Sequence, residues 1–209
     1  MYLPPQFKAK TREHAFALIR SHPFASLISN DDDGLPFVTP LPLHLLEEGG
    51  ETLLLGHCAK PNPHWKYLAA RPKSVVTFMG PHAYMTPRVY PDLARVPTWN
   101  YVMVQARGTA TVHEDAPWLR AQVDRLTGAQ ESGSAHPWQV GDAPADFVTA
   151  QMRAIVGIEI AVTDLRGKFK VSQNRPAQDK ASVLAALDAG QAGTDYIMAQ
   201  MLRHAMSGD

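Results

Sequence analysis

Cysteine is almost absent from these 209 residues, with Cys58 the only one. A single thiol excludes a disulfide within the chain and any metal site built on several cysteines. Net charge is absent as well: 20 Lys and Arg balance 20 Asp and Glu. No global field therefore draws the chain to nucleic acid or to an anionic membrane. No apolar run approaches the ~20 residues of a membrane span, and MYLPPQFKAK at the start lacks the charged-then-apolar order of a signal peptide. A cytoplasmic protein is the expectation. The common catalytic signatures are also lacking. No GxGxxG follows a strand pattern, and there is no GxxxxGK(S/T), HExxH or GxSxG. The nine histidines are scattered. His57 and His64 could meet across a turn, but without a placed carboxylate they make a poor metal site, so no metal is expected.

What the chain does have is an ordinary hydrophobic content of 45% and an excess of proline, 17 residues, which marks loops and strand ends. Its length suits a single domain, residues 1–209, with a helical C-terminal extension from about residue 176. A first helix is capped by Thr11 and stopped at His22-Pro23. Alternation over 24–29 and 35–39 around Asn30–Gly34 reads as a hairpin. Asp31–Asp33 read as a solvated turn, because the other ligands of a calcium loop are missing. Strands follow at 41–46 and 52–57, a helix at 62–70 and a strand at 74–79. Residues 80–97 have no clear period and read as an ordered functional loop. A long strand covers 99–113, with a bend at Gly108. Helices at 117–126 and 145–154, strands at 155–164 and 168–172, and helices at 179–187 and 194–206 complete the chain. Strands joined by hairpins, with helices inserted late, predict a mainly β protein with added helices, built on an antiparallel barrel.

The stretch with the clearest chemistry is LLLGHCAKPNPHW, Leu53 to Trp65. An apolar run ends in Gly56 and His57, and Asn62-Pro63 stand in helix-start order, Asn at the cap and Pro first in the helix. Unpaired N–H groups at such a start, with Lys60 two residues before the cap, would suit a phosphate. A plain strand-to-helix connection with a solvated lysine fits the same spacing.

Taken together, MYLPPQF, HPFASLIS, GLPFVTPLPL, LLGHCAKPNPHW, VTFMGPHAYMTPRVY, VPTWNYVMVQARG, Pro137-Trp138, IVGIEI and GKFKVSQNR resemble the PaiB-type family of FMN-binding negative transcriptional regulators. The match runs in order from residue 1 to about Leu187. It implies an FMN-binding split β-barrel, related to pyridoxamine-phosphate oxidases, that forms a homodimer with flavin at the subunit interface.

The resemblance also implies ligand contacts. Main chain beside Thr39, Pro40 and Leu41 would meet the polar edge of the flavin ring, and His57 and Ala59 would continue along ring and ribityl chain. Lys60 with Asn62 would take the phosphate. Lys168, Ser172, Gln173, Asn174 and Arg175 form a polar run in which Arg175 offers a planar fork for phosphate or carboxylate. Trp99, Asn100 and Tyr101 would reach the flavin of the partner subunit or serve an apolar interface. Regulation through a flavin state or a protein partner is the expected role, since neutral charge and the lack of a helix-turn-helix speak against direct DNA reading. A flavin-dependent oxidoreductase is the alternative. A haem-binding split barrel is a third reading, with His204 its one candidate ligand.

Overall fold

The computed structural model describes residues 1–190 and 194–207; residues 191–193 and 208–209 of the expected extension lie outside these. Seven strands form one sheet: β1 Phe24–Asn30, β2 Pro36–Pro42, β3 His44–Glu48, β4 Glu51–Ala59, β5 Lys73–Met85, β6 Thr98–His113 and β7 Ile155–Lys170. The helices are α1 Arg12–Ser21, α2 His64–Ala70, α3 Ala116–Glu131, α4 Ala145–Met152, α5 Ala177–Ala189 and α6 Thr194–Ser207. The strand order is β2-β1-β5-β6-β7-β4-β3, with antiparallel pairing in β1–β2, β1–β5, β3–β4 and β4–β7.

By contacts the chain divides into two compact units, and each is interrupted in sequence. The larger comprises residues 19–78 and 105–165. Its core is drawn from alternate strand positions: Leu27, Leu54, Val76, Phe78, Ala106, Val156, Ile158 and Ile160 are buried. Both of its hairpins follow from turn chemistry. Gly34 takes φ +79°, and Asp31 Oδ1 accepts the N–H of Asp33 and of Leu35 at 3.0 and 2.8 Å. Gly49 and Gly50 both have positive φ, as a two-residue hairpin turn needs. Helix α3 packs so closely on β7 that a Cβ on Gly157 would lie 2.2 Å from the Trp118 ring.

The smaller unit comprises residues 1–18, 79–104 and 166–209. Ala15, Phe16 and Leu18 of α1, Val102 and Val104 of β6, and Val183, Leu187, Met198 and Leu202 of the last two helices are buried. Two expected boundaries moved here. Strand β5 does not stop at Met79 but continues to Met85, and Gly80 is a close-approach position, since a Cβ there would come 2.7 Å from Leu18 and Val102 side-chain atoms. Residues 155–170 are one strand rather than two. At its far end the strand is joined by the N-terminal segment, with Ala9 N–H donating to Gly167 O at 2.9 Å and Lys8 bridging to Lys168. The third expected strand also shifts, as Leu41 belongs to β2 and β3 starts at His44.

Candidate functional site

The turn after β4 rests on a buried polar network. His64, the first residue of α2, has no exposed surface. Its Nε2 lies 2.9 Å from Ser29 Oγ and its Nδ1 2.7 Å from Thr39 Oγ1. Thr39 Oγ1 in turn accepts from Asn62 Nδ2 at 3.1 Å, and Asn62 Oδ1 accepts the His64 N–H at 3.0 Å. Burial lowers the His64 pKa to about 4, so the ring is neutral. Helix α2 begins at His64, with Pro63 at the cap position, so it starts two residues later than expected. Asn62 still performs a capping bond from one residue further out. Its side chain is committed at both ends to the protein, which makes it a positioning group for the turn.

Few backbone donors remain here. Pro61 and Pro63 have none, Lys60 N–H donates to Ala154 O at 2.8 Å, and Asn62 N–H to Ala59 O at 2.9 Å. The side chain of Lys60 is different. Its only carboxylate neighbour among the described residues is Glu114 at 3.4 Å, and both side chains are about half exposed. Such a pair contributes little and exchanges easily for a better anion. Ala59 beside it is exposed, while burial raises the Cys58 thiol pKa and leaves it a poor nucleophile.

His57, one strand position away, has its Nδ1 2.9 Å from Gln122 Oε1, an amide oxygen that accepts. Gln122 is fully buried and its Nε2 has no hydrogen-bond partner among the described residues. His57 and His64 thus have separate partners. Gln122 escaped the sequence reading, although its position between Leu119 and Leu126 on the buried face of α3 is a signal, since an amide there needs a partner.

Strand β2 offers the polar edge. It is an outer strand of the sheet. Leu35 O accepts from Asp31 N–H and Leu43 N–H donates to Pro23 O, each at 2.9 Å, so the odd-numbered groups face β1. The prolines at 36, 40 and 42 all fall on the other parity, where no ladder N–H is required. Main chain at Thr39 and Leu41 is therefore spent on β1. The outward groups are the Val38 N–H and the carbonyls of Pro36, Val38, Pro40 and Pro42, one donor among acceptors.

In the smaller unit, the polar run after β7 is mostly structural. Lys168 is buried; its Nζ donates to Tyr2 O at 3.2 Å and faces the Tyr2 and Tyr101 rings at 5.4 and 5.3 Å. Gln173 Oε1 accepts from Val171 N–H at 2.8 Å, and Nε2 donates to Gln6 O at 3.1 Å and to Phe169 O. Ser172 is buried with φ +66°, a strained backbone for a residue with a Cβ, and bonds the buried Asn100 side chain at 3.0 Å. Asn100 thus points into its own unit. Tyr101 is half-buried, Asn174 is exposed, and Trp99 is 53% exposed, with Tyr84 edge-on to its ring at 5.6 Å. Arg175 is half-buried beside Tyr90. His204 is exposed and touches the His14 ring edge-on at 5.3 Å.

Comparison with known proteins now bears on these groups. The family described as "Putative FMN-binding domain" matches residues 1–164. The chain belongs to this family. It is 28% identical to the protease synthase and sporulation protein PAI 2 of Bacillus subtilis, over 97% of this chain and 96% of that one, which places it with the PaiB-type proteins. An uncharacterized protein of Emericella nidulans is 32% identical over 77% of this chain and 75% of that one. Among solved structures, the FAD and heme binding protein from Mycobacterium smegmatis aligns with a TM-score of 0.60 at 18% identity, covering 89% of this chain and 82% of that one. The flavocytochrome Anf3 from Azotobacter vinelandii gives 0.53 at 19% identity, over 78% and 69%. The fold is the antiparallel split barrel with added helices, and the cofactor of the family is FMN. No described helix is long and apolar enough to cross a membrane.

The residues present fit such a group. A lysine with a weak surface partner suits a phosphate, and the neighbouring N–H and carbonyl of Val38 on the open strand edge suit one ring carbonyl and the single ring N–H of a flavin.

Proposed function

We propose that this protein binds FMN through the turn after β4 and the outer edge of β2, and that it acts in the cytoplasm as a homodimeric negative regulator through its flavin state or a protein partner. The observation that carries the flavin assignment is Lys60, a half-exposed cation whose counter-ion is one exposed carboxylate at 3.4 Å. In this reading Lys60 holds the phosphate, while Asn62, Thr39 and His64 fix the turn that presents it. The outward groups at Val38 and Pro40 meet the polar edge of the ring, and His57 and Ala59 border it. Bound FMN would supply electron transfer at its ring. The protein's own groups bind, orient and shield it.

The dimer is supported by side chains that a lone chain would leave in water. Met79, Tyr84 and Trp99 are each 53% exposed in the smaller unit. Apolar rings on neighbouring strands are the usual material of an interface core. Neutral overall charge supports regulation without direct DNA contact.

Titrating the purified protein with FMN, with absorbance and size read together, tests the proposal. The expected result is a stoichiometric yellow complex of two chains. A protein that stays colourless and monomeric at micromolar concentration would end both parts of it. Specific DNA binding by the dimer alone, weakening steeply with salt, would overturn the partner route.

A further inference from the structure

The loop that ends the first third of the smaller unit builds a second polar feature. Tyr90 is 5% exposed, and its ring has Arg175 Cζ at 5.8 Å and Arg95 Cζ at 5.9 Å. Its hydroxyl is buried with no partner among the described residues. The two guanidinium groups are not equivalent. Arg95 is neutralised by Asp92 at 3.1 Å and by the buried Asp179 at 3.3 Å. Arg175 has no carboxylate partner among the described residues, and a guanidinium cannot shed its proton to relieve that. Further cations stand behind it. Burial, and then the charges of Arg175 and Lys168, lower the Lys170 pKa, so positive charge is in excess at this end of β7.

Arg95 and Arg175 line one cleft of about 410 Å³, whose other walls are Leu93, Ala94 and Val96. Leu93 and Val96 are 71% and 70% exposed. The volume falls within the roughly 300–1,000 Å³ of small-molecule sites. A planar fork without a counter-ion calls for a carboxylate or a phosphate, and the apolar walls decide between them, because a bare phosphate has nothing to place there.

We propose that this cleft binds a small organic carboxylate with a compact apolar body, the carboxylate on Arg175 and the body against Leu93, Ala94 and Val96. Arg95, held by its two aspartates, sets the shape of the cleft and contributes field. Arg175, which the family resemblance counts among the flavin contacts, is here assigned to a different anion, so benzoate and FMN bind without competing and the two assignments are tested separately.

Benzoate is the probe, benzamide its neutral isostere and inorganic phosphate the anion without an apolar body. Calorimetry on the full chain is expected to show benzoate binding and little heat from the other two. Arg175→Gln should weaken benzoate about ten- to a hundredfold, the loss expected for a charge-assisted bond. Val96→Asp, at an exposed wall position, should weaken benzoate through repulsion and covers the case in which the arginine variant folds poorly. Lys60→Ala should lower FMN affinity and leave benzoate alone. No benzoate binding, equal binding by benzamide, tighter binding of phosphate, or competition between benzoate and FMN would each overturn the proposal.

Discussion

The turns after β4 and after β7 look alike as sequence, each a polar run leaving a strand, but they are built on opposite principles. Beneath the first lies a neutral network in which Ser29, Thr39, Asn62 and His64 satisfy one another at 2.7–3.1 Å. After the second, Lys168, Lys170 and Arg175 crowd positive charge together, and Ser172 holds a strained backbone. In the neutral turn the proposed binding group is the residue outside the network, Lys60. In the cationic turn, Lys168 and Gln173 spend bonds on Tyr2 and Gln6 of the N-terminal segment, Lys170 spends its own on Thr98 and Trp99, and Arg175 is left over. Polar residues near a site thus divide by whether their partners are already in the chain.

The largest expected effect breaks the neutral network. His64→Ala leaves two buried hydroxyls without their ring partner and opens a cavity, so it should destabilise the fold by roughly 3–5 kcal/mol in urea unfolding. If the loss were under about 1 kcal/mol, the network would not be what holds the turn. The same ring gives a pH signature. Its folded pKa of about 4 lies below the ordinary 6.5. Between those values the unfolded chain takes up a proton that the fold refuses. Stability from this group is therefore present above pH 6.5 and is lost as pH falls toward 4, by about 3 kcal/mol in all. His64→Ala should flatten that part of the profile.

A smaller effect separates presentation from contact. Asn62→Ala removes the bonds to Thr39 and His64 and should cost about 1 kcal/mol in thermal or urea unfolding, with FMN affinity falling less than in Lys60→Ala and riboflavin almost unchanged. A fall for FMN as large as that of Lys60→Ala would mean that Asn62 touches the phosphate itself. The smallest effect tests the surface pair. Glu114→Gln should change stability by less than about 0.5 kcal/mol, and FMN should bind slightly tighter because Lys60 loses its competitor. A marked loss of stability would show that the pair holds the turn closed.

Most strands were legible because apolar and polar residues alternate along them, as in β1, where Ala25, Leu27 and Ser29 are buried between more exposed neighbours, and the hairpin turns because Asn30–Gly34 and Gly49-Gly50 carry their own conformational demands. The strand ends at Gly80 and Gly167 were not. Glycine there serves close packing against Leu18 and Ala9, a tertiary cause that local composition does not express. The turn at Lys60 stood out in the sequence as a candidate phosphate site, but the network beneath it did not, since Ser29 and Thr39 reach His64 from 35 and 25 residues away. Gln122 and Arg95 were missed for the same reason. Their importance lies in His57 and in the Tyr90 ring, which only the fold brings beside them.

The account turns on Lys60 reading a phosphate. Affinities of the wild type and of Lys60→Ala for FMN and for riboflavin, which shares the ring but has no phosphate, measure that directly. The expected result is a fall of about ten- to a hundredfold for FMN, or ~1.5–3 kcal/mol, with riboflavin almost unchanged. Equal falls for the two ligands would contradict it and would move the phosphate away from the turn after β4.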